Sequence, residues 1–221
     1  LSRTLEETVA RRVEFLTGYQ NAAYAEKYRN LVERVKQAES SLAKGLGGLS
    51  EAVARYYFKL LAYKDEYEVA RLYADPAFMQ KIKSRFEGDY KLHFHLAPPL
   101  FAKRDPATGE LRKAEYGGWV FTAFKLLAKL RGLRGTAFDI FGYTQERRME
   151  RQLIVEYEAT IAELVGKLSS DNHALAVKIA SIPEEIRGYG HVKERNFGIA
   201  KAKQANLLAA FRSPEAVRSA A

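Results

Sequence analysis

The chain has no cysteine. That removes disulfides, thiolate nucleophiles and cysteine-ligated zinc or iron–sulfur centres from its 221 residues. It fits a reducing cytosol. No run of 18 apolar residues occurs, so no membrane span is expected, and there is no secretory apolar segment. The P-loop, the dinucleotide fingerprint, the nucleophile elbow and the zinc-site spacings are all missing. Internal repeats and low-complexity stretches are lacking too. The first residue is Leu1 rather than methionine, which reads as a piece of a longer chain or a processed one.

What is there is apolar and basic. Hydrophobic residues make up 47% and aromatics 12%, enough to bury a core. The net charge is +9, and a basic surface favours anionic partners such as nucleic acid, phosphorylated cofactors or acidic proteins. The cations are dispersed, which also suits an ordinary solvated surface.

Most of the chain repeats apolar residues at helical spacing. Leu5 to Ala43 reads as helix, with Ser2 or Thr4 as cap and Glu6 and Glu7 in a first turn that favours negative charge. Gly18 is where a kink or a split is expected. Ser50 is the expected cap of an organising helix that runs through Tyr56–Tyr73. There Tyr56, Leu60, Tyr63, Tyr67 and Ala70 form one stripe, while Lys64, Glu68 and Arg71 pair on the other face. Tyrosines bury an apolar body but need a partner for the hydroxyl, so Tyr56, Tyr63 and Tyr67 mark an interface seam, between layers of the chain or between this domain and another. Pro76 ends that helix and opens a short one, Ala77 to Phe86.

Lys91 to Leu96 alternates at period two and reads as a strand, and the region near residues 90–116 as one small β-hairpin insertion. Further helices are expected at Trp119–Leu130, from Thr144 to about Leu168, at His173–Ala180 after an Asp171 cap, and at Val192–Phe211. The tail after Ser213-Pro214 reads as frayed. Phe138, Phe141 and Tyr143 lie in a connector that must dock on something. The fold expected is mainly α, a single helical domain with long amphipathic helices over residues 1–221.

Few side chains suggest chemistry. His93 and His95 share one strand face, as two metal ligands would. No third ligand stands at a recognised spacing, and His173 and His191 are far along the chain, so outward-facing histidines outrank a metal site. Arg147, Arg148 and Arg151 open a helix, where phosphate or carboxylate could bind. Glu146 and Glu150 lie among them, which favours a structural ion-pair network. Gly132-Leu133-Arg134-Gly135 matches the GxxG backbone clamp, without the strands and helices that normally surround it. Asp65, Glu66 and Glu68 are closely spaced carboxylates flanked by Lys64 and Arg71, an arrangement that suits buried salt-bridging better than acid–base work. No catalytic residue emerges.

Five stretches carry a family resemblance: YQNAAYAEKYRNLVERV at Tyr19–Val35, LAYKDEYEVARLYADPAF at Leu61–Phe78, FEGDYKLHFHLAPPL at Phe86–Leu100, LRGTAFDIFGYTQERRMER at Leu133–Arg151 and IRGYGHVKERN at Ile186–Asn196. In order, and over nearly the whole chain, they resemble the C-terminal region of fused bacterial indolepyruvate ferredoxin oxidoreductases, of the 2-oxoacid:ferredoxin oxidoreductase superfamily. The resemblance implies an enzyme that oxidatively decarboxylates aryl 2-oxoacids to acyl-coenzyme A in the cytoplasm and passes electrons to ferredoxin. It implies thiamine diphosphate, magnesium and iron–sulfur clusters in the full-length enzyme, held upstream of this region. None of the family's catalytic residues maps onto a position here. The expected role is structural, docking on the upstream catalytic domains of the same chain or across a homodimer. One alternative is a contribution to the active site, with Arg147, Arg148 and Arg151 holding coenzyme A phosphates or the 95–115 loop capping the site. A basic nucleic-acid-binding module ranks last.

Overall fold

Thr4 opens the first helix as the sequence suggests: its Oγ1 accepts the Glu7 N–H at 3.2 Å. In the computed structural model, which describes residues 2–89, 91–96, 112–188 and 190–213, α1 spans Leu5–Tyr19 and α2 spans Ala22–Leu42. The split falls at Gln20–Asn21, just past Gly18. Asn21 decides it, because its side chain accepts the Tyr24 N–H at 2.9 Å and starts a new helix. Gly45 and Gly48 follow the end of α2, both with positive φ, a conformation that disfavours any residue with a Cβ.

Two helices replace the single organising helix. α3 covers Leu49–Leu61 and α4 covers Glu66–Ala74. The cap of α3 is Gly48, with the Glu51 carboxylate accepting its N–H at 2.9 Å, and not Ser50, which lies inside the helix. The chain leaves helical geometry after Leu61, and Asp65 caps α4 by accepting the Glu68 N–H at 2.8 Å. The Tyr56–Ala70 stripe is therefore not one helical face. Lys64 sits in the break and is exposed, while Glu68 pairs with Arg71 as expected.

The remaining elements follow the periodicity closely. α5 is Pro76–Lys83, with Pro76 in its first turn. β1 (Phe94–Leu96) and β2 (Ala114–Tyr116) pair antiparallel, Phe94 opposite Tyr116 and Leu96 opposite Ala114. α6 is Val120–Lys129, continued by a 3-10 turn over Leu130–Leu133. α7 is Gln145–Gly166, α8 is His173–Ala180 and α9 is Gly190–Arg212. Asn172 rather than Asp171 precedes α8, and the expected frayed tail lies outside the described residues. The fold is mainly α with one small antiparallel hairpin. Among the described residues no helix is long and apolar enough to cross a membrane.

The chain divides into two compact units, residues 1–63 with 150–221, and residues 64–149. The first is built from α1, α2, α3, α8, α9 and most of α7. Its core joins Leu16, Val32, Val35, Leu49, Val53, Leu61, Ile161, Leu164 and Ile179. Through it runs a stack of three tyrosines, Tyr28 on Tyr57 at 6.0 Å and Tyr57 on Tyr157 at 5.9 Å. Each hydroxyl donates to a partner: Tyr28 to the Ala54 carbonyl, Tyr57 to Glu158 and Tyr157 to the Ala180 carbonyl. Buried phenols thus contribute apolar area without a stranded polar atom. The second unit packs Val120, Phe124 and Ala128 of α6 on Ala70 and Tyr73 of α4 and on Phe94 of β1.

Candidate functional site

The second unit buries charge. Asp65 and Arg134 have side chains only 3% and 2% exposed. The guanidinium is bidentate: Nε donates to Oδ2 at 2.5 Å and a terminal nitrogen donates to Oδ1 at 2.8 Å. Its Cζ lies over the Tyr67 ring, 5.5 Å from the ring centre. Oδ1 of Asp65 also caps α4, so one carboxylate starts a helix and holds an arginine. Beside it, Glu68 is bidentate to Arg71 at 2.7 Å on both contacts. Arg147 approaches Glu66 at 3.6 Å. Burial lifts the Glu66 carboxyl above its ordinary range, against the pull of Arg147.

A turn is tied down on this network. Asp139, itself buried, accepts the Gly135 N–H at 2.8 Å through one oxygen and the Gly142 N–H at 3.0 Å through the other. Burial, and then the neighbouring Asp139 carboxylate, push the Tyr67 phenol up to about 12. Phe141 packs edge-on against Tyr67 at 5.4 Å. The Tyr143 hydroxyl closes the turn on the Ala137 carbonyl at 2.8 Å. With Asp139 and Phe141 drawn in, Phe138, Ile140 and Tyr143 remain 76%, 59% and 58% exposed. Of the connector's aromatic residues, only Phe141 docks inside the unit. The network therefore acts as an anchor: Asp65, Glu68 and Asp139 each accept two or more donors, Glu66 Oε2 stays buried without a hydrogen bond, and the turn displays three apolar side chains.

A second buried polar group lies in the first unit. Glu39 receives the Leu49 and Ser50 N–H groups at 2.7 and 2.9 Å, the Ser50 hydroxyl at 2.6 Å, and meets His173 Nε2 at 2.7 Å. Serine, carboxylate and histidine are all present, but the carboxylate stands in the middle. The serine donates to Glu39 and not to the histidine, so the order needed to activate a nucleophile is absent. Glu39 is instead a remote cap for α3. Burial raises its carboxyl, but the bonds from Ser50, His173 and the two backbone amides prevail and hold it below the ordinary range.

A family model described as a family of unknown function, DUF6537, matches residues 5–206. The chain belongs to the DUF6537 family. No curated protein and no solved structure matches it.

In this DUF6537 chain the candidate residues divide between the two units. Tyr56 and Tyr63 are buried in the first unit and Tyr67 in the second, at 7%, 8% and 2% exposure. The Tyr56 hydroxyl donates to Glu184 at 2.6 Å. His93 and His95 are exposed on the hairpin, with His93 Nδ1 against Glu115. Among the described residues no group of three or more His, Cys, Asp or Glu is placed to hold a metal ion. Arg147 is engaged by Glu66, Arg148 is exposed and Arg151 is half-buried. Arg134, the cation of the GxxG match, points into the protein and not toward a ligand. Most of the 95–115 loop lies outside the described residues. Asp139 and Glu39 were missed by sequence reasoning. Asp139 sits between Gly135 and Gly142 in GTAFDIFG, a signal for a side chain bridging a turn; Glu39 has no local signal, since its partners are 11 and 134 residues away.

Proposed function

We propose that this chain is a non-catalytic docking domain of an indolepyruvate ferredoxin oxidoreductase. It would pack on upstream catalytic domains of the same polypeptide in the cytoplasm. Those domains would hold the thiamine diphosphate, magnesium and iron–sulfur clusters, and the whole enzyme would hand electrons to ferredoxin. The five ordered motifs favour that parentage, and a chain without thiolates has no cysteine to offer a cluster. One observation carries the docking role: the 134–143 turn is locked from below by Asp139 and Phe141 and displays Phe138, Ile140 and Tyr143. A loop held rigid before contact loses little entropy on binding, and aromatic anchors of this kind dominate interface energetics.

The test is a split enzyme. Residues 1–221 and the remainder of the oxidoreductase are produced as separate chains and mixed. Co-elution, lost in a Phe138→Asp/Ile140→Asp variant that keeps its helical circular dichroism, is the expected result. Independent elution of the two unaltered chains would remove the proposal.

A further inference from the structure

The tyrosine stack of the first unit contains one hydroxyl bond unlike the other two. Both methionines, Met79 and Met149, and the single tryptophan, Trp119, belong to residues 64–149, and the chain has no cysteine. Tyrosines are therefore the most readily oxidised side chains of the first unit. Tyr57 lies with its ring 22° from parallel to Tyr28 and 15° from parallel to Tyr157. The row of rings continues from Tyr28 through Phe58 and Phe15 to Tyr19 and the half-buried Tyr24, with successive ring centres 5.3 to 6.2 Å apart.

A phenol that gives up an electron becomes a strong acid, so the loss settles where a base can take the proton. The Tyr28 and Tyr157 hydroxyls donate to the Ala54 and Ala180 carbonyls, which are poor bases. The Tyr57 hydroxyl donates to a carboxylate, Glu158 Oε1, at 2.5 Å, within the reach that proton transfer needs. Tyr57 is fully buried. The Glu158 side chain is 27% exposed and meets Lys27 Nζ at 2.7 Å, so a proton placed there has a route to water. Burial, and then Glu158, push the Tyr57 phenol up, which closes the loss of its proton alone at neutral pH. We infer that Tyr57 and Glu158 form a one-electron, one-proton redox site that collects oxidising equivalents reaching the stack. A one-electron oxidant at the surface, of the class of oxygen-derived radicals, takes the electron and is reduced by it. The Tyr57 O–H bond breaks, its proton passes to Glu158 Oε1, and a neutral phenoxyl radical remains on Tyr57. One electron from a small one-electron reductant such as ascorbate, with return of the proton, restores the pair.

The pair lies inside the first unit, so the inference stands or falls apart from the docking role. The 221-residue chain carrying Trp119→Phe is oxidised by flash-generated ruthenium(III) tris-bipyridine, and the phenoxyl radical is followed by transient absorption and electron paramagnetic resonance. A long-lived tyrosyl radical is expected, formed more slowly in heavy water because the proton moves with the electron. Tyr57→Phe should remove most of it. Glu158→Gln, which keeps an acceptor but not a base, should slow its formation by roughly 100-fold. Tyr56→Phe should leave it unchanged: that hydroxyl also meets a carboxylate, Glu184, but outside the stack. Circular dichroism confirms that the variants fold, and Glu158→Gln, at a partly exposed side chain, decides the matter even where Tyr57→Phe does not fold. Equal radical yield in Tyr57→Phe, an unchanged rate in Glu158→Gln, no effect of heavy water, or only the short-lived radicals of exposed tyrosines would each overturn the inference.

Discussion

Replacing Asp65 by asparagine separates two roles of one side chain. Asparagine caps a helix as well as aspartate does, so the bond to the Glu68 amide can persist. What is lost is the charge that compensates Arg134, whose side chain is 2% exposed. Removing one partner of a buried ion pair strands the other and costs about 3–5 kcal/mol. The lower figure, about 3 kcal/mol, applies here because asparagine still accepts one hydrogen bond. For a unit of this size each kcal/mol lowers the melting temperature by about 4–8 °C, so a drop of about 12 °C or more is expected. Trp119 emission follows the second unit, and circular dichroism at 222 nm follows the whole chain. Asp65→Leu combined with Arg134→Met should be much less damaging than the sum of its parts, because no charge is left buried; only the cap, about 1 kcal/mol, is missing. Asp65→Asn within about 0.5 kcal/mol of wild type would show the guanidinium to be hydrated, and the anchor argument would fail.

Glu39→Gln should destabilise the first unit by about 1–3 kcal/mol at neutral pH, by removing charge-assisted bonds to buried amides. Its acid sensitivity has a defined sign. The folded carboxyl lies below its ordinary value of 4.5, so the stabilisation is complete above that value and lost as pH falls through the folded one. Chemical denaturation across that acid range should show a smaller loss in Glu39→Gln than in wild type; equal losses would contradict the remote cap. Tyr28→Phe, which removes the bond to the Ala54 carbonyl but keeps the stacked ring, should cost about 1 kcal/mol in urea titration. Ile161→Ala, at a position 1% exposed, should cost about 2–5 kcal/mol by the same assay. In the proposed parent oxidoreductase, Arg147→Ala should leave the apparent KM for coenzyme A unchanged, since that guanidinium faces Glu66 at 3.6 Å; a raised value would revive the anion-site alternative.

Helix identity was legible because apolar spacing repeats over many turns, as in Leu153, Tyr157, Ile161 and Leu164 of α7. Helix ends were less so. The break at residues 62–65 interrupts a stripe that runs on in phase from Tyr56 to Ala70, and periodicity alone carries a helix straight across it. The signal against that was Asp65 followed by Glu68, an acidic cap with its third-position glutamate. Tyrosine hydroxyls demanding partners were foreseeable; which groups would answer them was not, because Tyr57 meets Glu158 across 101 residues. The same holds for Arg134. In sequence it belongs to a glycine-flanked turn, and only the fold brings it to Asp65, 69 residues earlier. Long-range charge pairing leaves no local pattern, so a buried anchor and a ligand-binding arginine look alike before folding.

The proposed docking role is tested most directly by amide hydrogen exchange over residues 133–144, compared between the 221-residue chain and the proposed parent oxidoreductase. Slower exchange in the intact enzyme, reversed by Phe138→Asp/Ile140→Asp, is what the account predicts. Identical exchange in the two, with Phe138 and Ile140 as open to solvent in the assembled enzyme as in the separate chain, would contradict it.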